Sequence, residues 1–327
     1  MASYLDVTYT NGVIAAKEKY LLKDKISRFC ELSAEEAFRA LLESGFGGGA
    51  ETTVSVYDYE KLILREEEKL DAFIREFAPS EAEQAYLLSS RDFHNAKALV
   101  KAAHLQTDAE RMLASEGLLS VAELRSCVET GNYAPIREKN AELAEACEQA
   151  TECLREEPSG SKVGEIFEKA LYTYLFKLAK RKPVLKKLLQ AKIDRTNILT
   201  AFRAADLTEA TEKYLPFGKL TEKELSKLFN EDMVRVEKEF SKTPYGEFVK
   251  LCLRAKEQGL PMTQAEKLRD GYDVAFFAER KYELQKTEPF LYYVYRRKTE
   301  HANVRIVFVC LLAGQSEQEI KQRLRAW

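Results

Sequence analysis

Three segments of the chain repeat one short pattern, and this repetition constrains the fold more than any single residue does. In each segment an acidic residue stands three positions before an asparagine, inside an apolar stretch of helical periodicity. The segments span residues 91–97, 193–199 and 299–305, each about a third of the 327-residue chain from the next. Self-similarity at a fixed period predicts repeated structural units, here three helical modules over residues 1–106, 107–212 and 213–327.

A helix-capping signal recurs with the same pattern. A Ser or Thr followed three residues later by Glu is the sequence form of the capping box, in which each residue satisfies a backbone N–H of the other. Four pairs match: Ser33 and Glu36, Ser120 and Glu123, Thr221 and Glu224, Ser316 and Glu319. The first of them follows a weaker copy of the repeat at Asn11. A junction of asparagine-bearing helix, turn and capped helix is therefore predicted four times, and each cap contributes about 1 kcal/mol.

The composition indicates a globular, all-α protein. Hydrophobic residues make up 45% of the chain and charged residues 32%, while 14 Gly and 8 Pro are few for this length. No segment alternates between polar and apolar residues as a half-buried strand does. The formal net charge of −2 provides no basic field, so nucleic acid is not expected as the main partner.

Cysteine usage and apolar runs bear on the compartment. The six cysteines form no CxxC pair, which favours reduced thiols in a cytoplasmic protein. The first residues lack the pattern of a signal peptide. The longest apolar run covers residues 306–313, well short of the roughly 20 residues that span a bilayer. We expect no transmembrane segment and only peripheral contact with a membrane.

Helical periodicity and the Gly and Pro positions divide the chain into a series of helices. The predicted helices cover residues 9–29, 33–44, 57–77, 81–104, 138–157, 163–182, 184–206, 222–240, 245–258, 263–284, 289–313 and 316–324.

The polar residues of the repeat are the first candidates for a functional site. An asparagine on a buried helix face acts either as a catalytic or ligand amide or as a bridge to neighbouring backbone, since leaving it unpaired costs about 1–3 kcal/mol. Three copies of one residue favour the backbone role, because an active site needs different groups to converge. The structural signature comprises Asp92, Asn95, Asp194, Asn197, Glu300, Asn303 and Arg305.

No other motif predicts a catalytic or ligand-binding site. The glycine-rich stretch at residues 45–49 lacks the Lys and Ser/Thr of a phosphate loop and is interpreted as a turn. His94, His104 and His301 are isolated from one another, so neither a metal site nor a cofactor is predicted.

Two segments each allow two interpretations, one structural and one as a binding surface. Residues 177–192 carry seven basic residues and no acid, which fits either a solvated face or a docking patch for an acidic partner. The candidate docking residues are Lys180, Arg181, Lys186 and Lys187. The aromatic and arginine-rich residues 289–297 fit either an interface or an internal helix seam.

The assembled motifs resemble the C (or d) subunit of V-type and A-type rotary ATPases. The C-terminal segment 292–305, with Glu300, Asn303 and Arg305, is similar to the family's last long helix, and residues 314–325 to its closing short helix. Residues 9–11, 92–97 and 193–198 also match, so the resemblance spans the chain. Val13 and Ala15 depart from the family, which often has basic residues there.

The resemblance implies an all-helical funnel of three modules around a pseudo-threefold axis, with a central cavity. Members sit peripherally at the cytoplasmic side of the membrane, between the proteolipid ring and the rotor shaft, which is formed by D-type and possibly F-type subunits. They are non-catalytic and serve proton or sodium transport. The alternatives are a free-standing helical scaffold and a helical enzyme that uses Asp194 or Glu300 as general base.

Overall fold

A computed structural model describes residues 7–22, 25–48, 55–230, 232–283 and 285–326. Throughout these ranges the regular structure consists of α-helices and short 3-10 helices, with no strand. This confirms the all-α fold predicted from the composition and periodicity.

The chain divides into two compact units. Unit 1 combines Met1–Ser80 with Thr263–Trp327, and unit 2 is Glu81–Met262. The helices of unit 1, numbered in chain order, are α1 (Val7–Lys17), α2 (Lys25–Phe29), α3 (Ala34–Glu43), α4 (Tyr59–Phe77), α15 (Thr263–Asp270), α16 (Tyr272–Ala278), α17 (Glu288–Leu312) and α18 (Glu317–Arg323), with 3-10 helices at Glu18–Tyr20, Phe46–Gly48 and Val56–Asp58. Those of unit 2 are α5 (Glu81–Leu105), α6 (Val121–Thr130), α7 (Ala134–Lys139), α8 (Ala141–Glu156), α9 (Gly160–Ala179), α10 (Pro183–Arg203), α11 (Leu207–Lys213), α12 (Glu222–Leu225), α13 (Met233–Phe240) and α14 (Gly246–Glu257), with 3-10 helices at Glu110–Met112 and Ser226–Phe229.

Helix α17 is the central element of unit 1. Pro289 stands in its first turn, where proline's missing N–H costs nothing, and the helix contacts α1, α2, α3, α4, α16 and α18. Phe290 and Phe308, near its two ends, are fully buried. The aromatic segment 289–297 is therefore an internal seam: Phe73 of α4 stacks on Phe290, and Phe277 of α16 stacks on Tyr295.

Unit 2 is built around helix α9. Helix α9 packs against α5, α8 and α10, and its buried Val163 and Phe167 join a core with Leu124 and Leu143. Pro183 starts α10 in the first helical turn, so it separates α9 from α10 as the sequence indicated.

Three predicted helices are interrupted well within their length, and a fourth, predicted over residues 138–157, is broken near its start at Asn140, where α7 ends and α8 begins. The helix expected over residues 9–29 breaks after Tyr20, because Leu21 turns extended (ψ 140°) and the Leu22 N–H leaves the helix for a carboxylate. Residues 222–240 break at Asn230, where the backbone is also extended and Asp232 caps α13. Residues 263–284 divide into α15 and α16 at Gly271; residue 284 lies outside the described ranges.

The helix caps follow the sequence with one exception. Ser33, Thr221 and Ser316 form complete capping boxes with the glutamates three residues on. Ser120 accepts from the Glu123 N–H, but the box is incomplete. The Glu123 carboxylate instead pairs with Lys139 at 2.7 Å.

In the part of the chain that the structure describes, no helix has both the length and the apolar character that crossing a bilayer requires.

Candidate functional site

The asparagines of the first two repeats make the same pair of hydrogen bonds. Asn95 on α5 donates to the Ala114 carbonyl (3.2 Å) and accepts from the Ala114 N–H (2.8 Å). Asn197 on α10 donates to the Leu215 carbonyl (2.9 Å) and accepts from the Leu215 N–H (2.8 Å). Each amide thus replaces the backbone partners that one residue of the following turn lacks, and both asparagines are buried.

The third repeat has the same geometry within unit 1. Asn303 on α17 donates to the Arg325 carbonyl (3.0 Å) and accepts from the Arg325 N–H (2.8 Å). In the weaker copy, Asn11 donates to the Lys286 carbonyl at 3.2 Å. The signature asparagines therefore hold chain segments against long helices.

The acids of the first two repeats bind the N–H groups of the next turn. Asp92 accepts from the Leu118 and Leu119 N–H groups, each at 3.0 Å. Asp194 accepts from the N–H groups of Lys219 (2.8 Å) and Leu220 (3.0 Å) through the same Oδ1. Both carboxylates are almost completely buried, so they act as internal caps for backbone donors.

A glycine at each turn lets the carboxylate approach the backbone. A Cβ at Gly117 would lie 2.3 Å from Asp92 Oδ1, and a Cβ at Gly218 would lie 2.4 Å from Asp194 Oδ1. Only glycine therefore fits at these two positions without displacing the acid. The sequence carried this signal, a Gly three residues before each capping Ser120 or Thr221.

Asp194 has a further partner in the Tyr245 hydroxyl, which donates to its Oδ2. Burial raises the pKa of Asp194 above its ordinary value, and the hydrogen bonds from Tyr245, Leu220 and Lys219 oppose that rise. Both oxygens of this carboxylate thus accept hydrogen bonds from the protein itself. The geometry that a general base needs, a free oxygen facing a cleft, is not what these contacts provide.

Glu300 takes the acid position of the third repeat but binds a distant segment. Its Oε2 accepts from the Leu22 N–H at 2.6 Å, and its Oε1 pairs with Arg297 one turn earlier on α17. Burial raises the pKa of Glu300, and the neighbouring Arg297 charge opposes the rise. Leu22, from the N-terminal segment, thus supplies the backbone donor that a downstream turn supplies to Asp92 and Asp194.

Arg297 and Glu66 form a buried ion pair that the sequence did not point to. Arg297 Nη2 pairs with Glu66 Oε2 while Nη1 pairs with Glu300, so one guanidinium joins α4 to α17. Glu66 Oε1 also accepts from Lys69 (2.6 Å) and from the Gly47 N–H (3.0 Å). The available signal was the position of Arg297, one turn before a signature Glu, within the short basic run Arg296–Lys298 of an otherwise apolar helix.

The glycine stretch is a turn, as interpreted from the sequence. Gly45, Gly47 and Gly48 have φ of 82°, 76° and 98°, which residues with a side chain rarely adopt. The Gly45 N–H donates to Leu42, the Gly47 N–H to Glu66 and the Gly48 N–H to Gly45. Gly49 lies outside the described residues.

Arg305, the remaining signature residue, makes a peripheral contact. Its Nε lies 3.0 and 3.1 Å from the two Glu60 oxygens, and its Nη2 contacts Glu60 and Glu67 on α4. The Arg305 side chain is 39% exposed, so water screens this ion pair more than it screens the buried pairs of Arg297 with Glu66 and Glu300.

The basic run is partly paired within unit 2. Lys177 pairs with Glu142 of α8, and Lys182 pairs with the buried Glu83 at 2.9 Å. Lys180, Arg181 and Lys187 are exposed.

Lys186 is half-buried next to an aromatic pair. Its Nζ lies 5.3 Å from the centre of the Phe176 ring, which stacks on Phe217 at 4.4 Å. Phe217 is 42% exposed and has φ of 71°, a strained conformation for a residue with a side chain. Of the four candidate docking residues, Lys186 thus lies next to an aromatic pair whose outer ring, Phe217, is exposed.

The histidines are used separately. His94 Nε2 lies 2.8 Å from the Met112 carbonyl, and the His301 ring meets Phe46 edge to face. Within the described ranges no three His, Cys, Asp or Glu side chains are grouped as metal ligands. The cysteines are unpaired, and burial raises the pKa of Cys147 and Cys252 to about 12, which disfavours reactive thiolates.

Comparison with known proteins gives a consistent result. The sequence is 22% identical over 320 residues to the C subunit of the V-type sodium ATPase of Enterococcus hirae, covering 94% of this chain and 92% of that protein. Residues 10–323 match the family described as ATP synthase (C/AC39) subunit. Since this match covers all three signature segments and the closing helix α18, the chain belongs to the ATP synthase (C/AC39) subunit family.

Proposed function

We propose that this protein is a non-catalytic central-stalk component of a rotary ATPase, which couples the rotor shaft to the membrane proteolipid ring for transport of protons or sodium ions. The observation that carries the proposal is the family match over residues 10–323. The protein would lie at the cytoplasmic surface of the membrane as part of the complex. Its partners would be D-type and possibly F-type shaft subunits on one side and the ring on the other.

The chemistry of the signature residues supports a mechanical role. Asn95, Asn197 and Asn303 all bind backbone groups of the protein itself. A body of close-packed helices whose turns are fixed in this way transmits force with little compression. Torque transfer needs that stiffness and needs no reactive group.

The third repeat supports a closed arrangement of modules. Glu300 on α17 binds Leu22 from the beginning of the chain, where the first two acids bind turns that follow them. A repeat whose last member is completed by the first segment favours a ring over an open solenoid, which ends in capping units. We therefore propose three modules around a pseudo-threefold axis, forming a funnel whose cavity receives the shaft.

The function is tested by deleting the gene and measuring ATP-driven ion uptake in membrane vesicles. We expect uptake to be lost and restored by the plasmid-borne gene, while the purified protein alone hydrolyses no ATP. The tagged protein should co-purify with shaft and ring subunits. Normal ion uptake in the deletion strain, with no ATPase component co-purified, would instead support a free-standing scaffold.

The docking surface is the first testable detail of this proposal. We propose that Lys180, Arg181, Lys186 and Lys187 contact an acidic partner surface, because clustered like charge favours association with the opposite charge. Changing all four to Glu should weaken co-purification with the complex about tenfold or more, with a marked dependence on salt.

The matched control changes three other lysines and one arginine of unit 2 to Glu. These are exposed and carry no ion pair among the described residues: Lys223, Lys238, Lys242 and Arg254. The control should assemble normally. Equal assembly of both variants at low salt would identify the basic run as a solvated face, and loss of helical circular dichroism in the first would make it structural.

A further inference from the structure

A cavity of about 390 Å³ lies in unit 1 next to the buried ion pairs of Arg297 with Glu66 and Glu300. Its volume falls within the roughly 300–1,000 Å³ of small-molecule sites. Four segments line it: residues 17–22, residues 44–46 at the start of the glycine turn, residues 66–73 of α4, and Tyr293 and Arg297 of α17. The torque-transfer function proposed above gives this cavity no role.

One wall of the cavity is apolar and preformed. Leu70, Phe73 and Tyr293 line it, and all three are buried. Phe73 is fixed by ring contacts with Phe290 (5.9 Å) and Tyr293 (5.1 Å). A flat ring or a branched aliphatic group could therefore bury its surface here without rearrangement of the wall.

Among the described residues, the charged lining leaves one cation uncompensated. Arg297 is paired with two carboxylates, and Lys69 shares one of them, Glu66. Lys17 lies over the Phe73 ring, with its Nζ 5.7 Å from the centre, and none of the described carboxylates pairs with it. Glu18 lies near enough to Tyr293 to contribute to its raised pKa, but it does not line the cavity.

The backbone of the glycine turn is not available to a phosphate. Its Gly45, Gly47 and Gly48 N–H groups already donate to acceptors within the protein. Phosphate sites typically use several such backbone donors together. Two lysine ammonium groups beside an apolar wall suit a carboxylate better, since it needs fewer donors.

From these features we propose that the cavity binds a small carboxylic acid with an aromatic or branched aliphatic body. Lys17 and Lys69 hold the carboxylate, and Phe73 and Tyr293 contact the body. On binding, Lys17 exchanges its contact with the Phe73 ring for a charge-assisted hydrogen bond, which is the stronger interaction.

The test is calorimetric titration of the full-length protein with 3-phenylpropionate up to about 10 mM, since about −0.3 kcal/mol per non-hydrogen atom corresponds to millimolar affinity for so small a ligand. The neutral 3-phenylpropanol, phenyl phosphate and a tripeptide ending in phenylalanine are titrated in parallel. The variant is Lys17→Gln, and the matched control is Lys61→Gln, an exposed lysine near the start of α4 that pairs with Asp58 and does not line the cavity.

We expect the acid to bind about tenfold more tightly than the alcohol. Lys17→Gln should weaken binding of the acid about three- to tenfold and leave binding of the alcohol unchanged, whereas Lys61→Gln should change neither affinity. Absence of binding, equal affinity for acid and alcohol, or equal effects of the two variants would overturn the proposal. Tighter binding of phenyl phosphate or of the tripeptide would overturn the proposal and show that the cavity instead prefers a phosphate ester or a peptide C-terminus. Because binding is measured on the isolated protein, the outcome is independent of the proposed function.

Discussion

At the scale of single residues, the repeated asparagines are buried connectors. Each amide satisfies both backbone groups of one residue about twenty positions further along the chain. An amide can do this because it carries a donor and an acceptor side by side. Aspartate, glutamine or serine cannot supply both groups at the same distance, which explains why one residue type recurs.

Asn197→Ala should lower the free energy of unfolding by about 2–4 kcal/mol. The change leaves the N–H and the carbonyl of the buried Leu215 without partners, and each unpaired group costs about 1–3 kcal/mol. Urea unfolding followed by circular dichroism measures the loss. The control Asn132→Ala removes only a local bond at an exposed turn and should cost less than about 1 kcal/mol. Equal losses would contradict the connector role.

Asp194→Asn should change how stability depends on pH. The amide keeps the Oδ1 that accepts from Lys219 and Leu220, and its NH₂ can donate to the Tyr245 oxygen. The folded-state pKa of Asp194 is raised by burial. Between the ordinary aspartate pKa of about 4 and that raised value, the folded protein holds the proton that the unfolded chain has released. Wild-type stability therefore falls as pH rises through this window.

The Asp194→Asn variant has no ionisable group at this position, so its stability does not fall across this pH window. Its stability relative to wild type should therefore be greater at pH 7 than at pH 4, as measured by urea unfolding at both values. Asp108→Asn, at an exposed position, is the control and should show no such change. A pH-independent difference between Asp194→Asn and wild type would show that burial of Asp194 does not affect its ionisation.

At the scale of helices and turns, the long helices could be predicted from the sequence and the interruptions could not. Helices α5, α10 and α17 lie within a few residues of their predicted ends because Pro and apolar periodicity mark them locally. The predicted helix 9–29 fails because its break depends on Glu300, almost the whole chain away. Local patterns contain no information about such a partner.

The same limit applies to the candidate site. The repeat identified Asp92, Asn95 and their equivalents, since recurrence is visible in one sequence. Their partners were not identified, because the turns that they bind share little side-chain identity apart from Gly117 and Gly218. The Arg297–Glu66 pair was missed because its members are far apart in sequence and recur nowhere else in the pattern.

Gly218→Ala should destabilise the protein by about 1–3 kcal/mol, the usual cost of overpacking a tight site. The new Cβ would lie 2.4 Å from Asp194 Oδ1 and 3.1 Å from the Ile193 side chain, so the turn must move away from α10. Thermal unfolding measures the effect. Gly164→Ala is the control, since it lies within α9 with no atom within 4 Å of its Cβ position and should stabilise by up to about 1 kcal/mol. A neutral Gly218→Ala would show that the turn tolerates displacement.

At the scale of the whole molecule, the division into units and the sequence repeat give different partitions of the chain. Unit 2 is continuous, whereas unit 1 combines the first and last segments of the chain. Helix α17 carries the third signature but packs against α1, α2, α3 and α4 from the first part of the chain. A division into three consecutive modules therefore separates helices that pack together, and it remains our proposal. The two units are defined by which residues lie close together, whereas the three modules are defined by the recurrence of the sequence signature.

The discontinuity of unit 1 leads to a prediction for fragments. Residues 81–262 contain α5 to α14 with their own core, so this fragment should fold alone and unfold cooperatively in urea. Residues 263–327 contain α17 without its partners α1 to α4. Alone, this fragment should show little helical circular dichroism, because the helix would expose Phe290, Val304 and Phe308 to water.

Mixing the 263–327 fragment with residues 1–80 should restore helicity in a concentration-dependent manner. A non-cooperative 81–262 fragment, or a stably helical 263–327 fragment, would show that the stability of each unit does not come from the contacts described above.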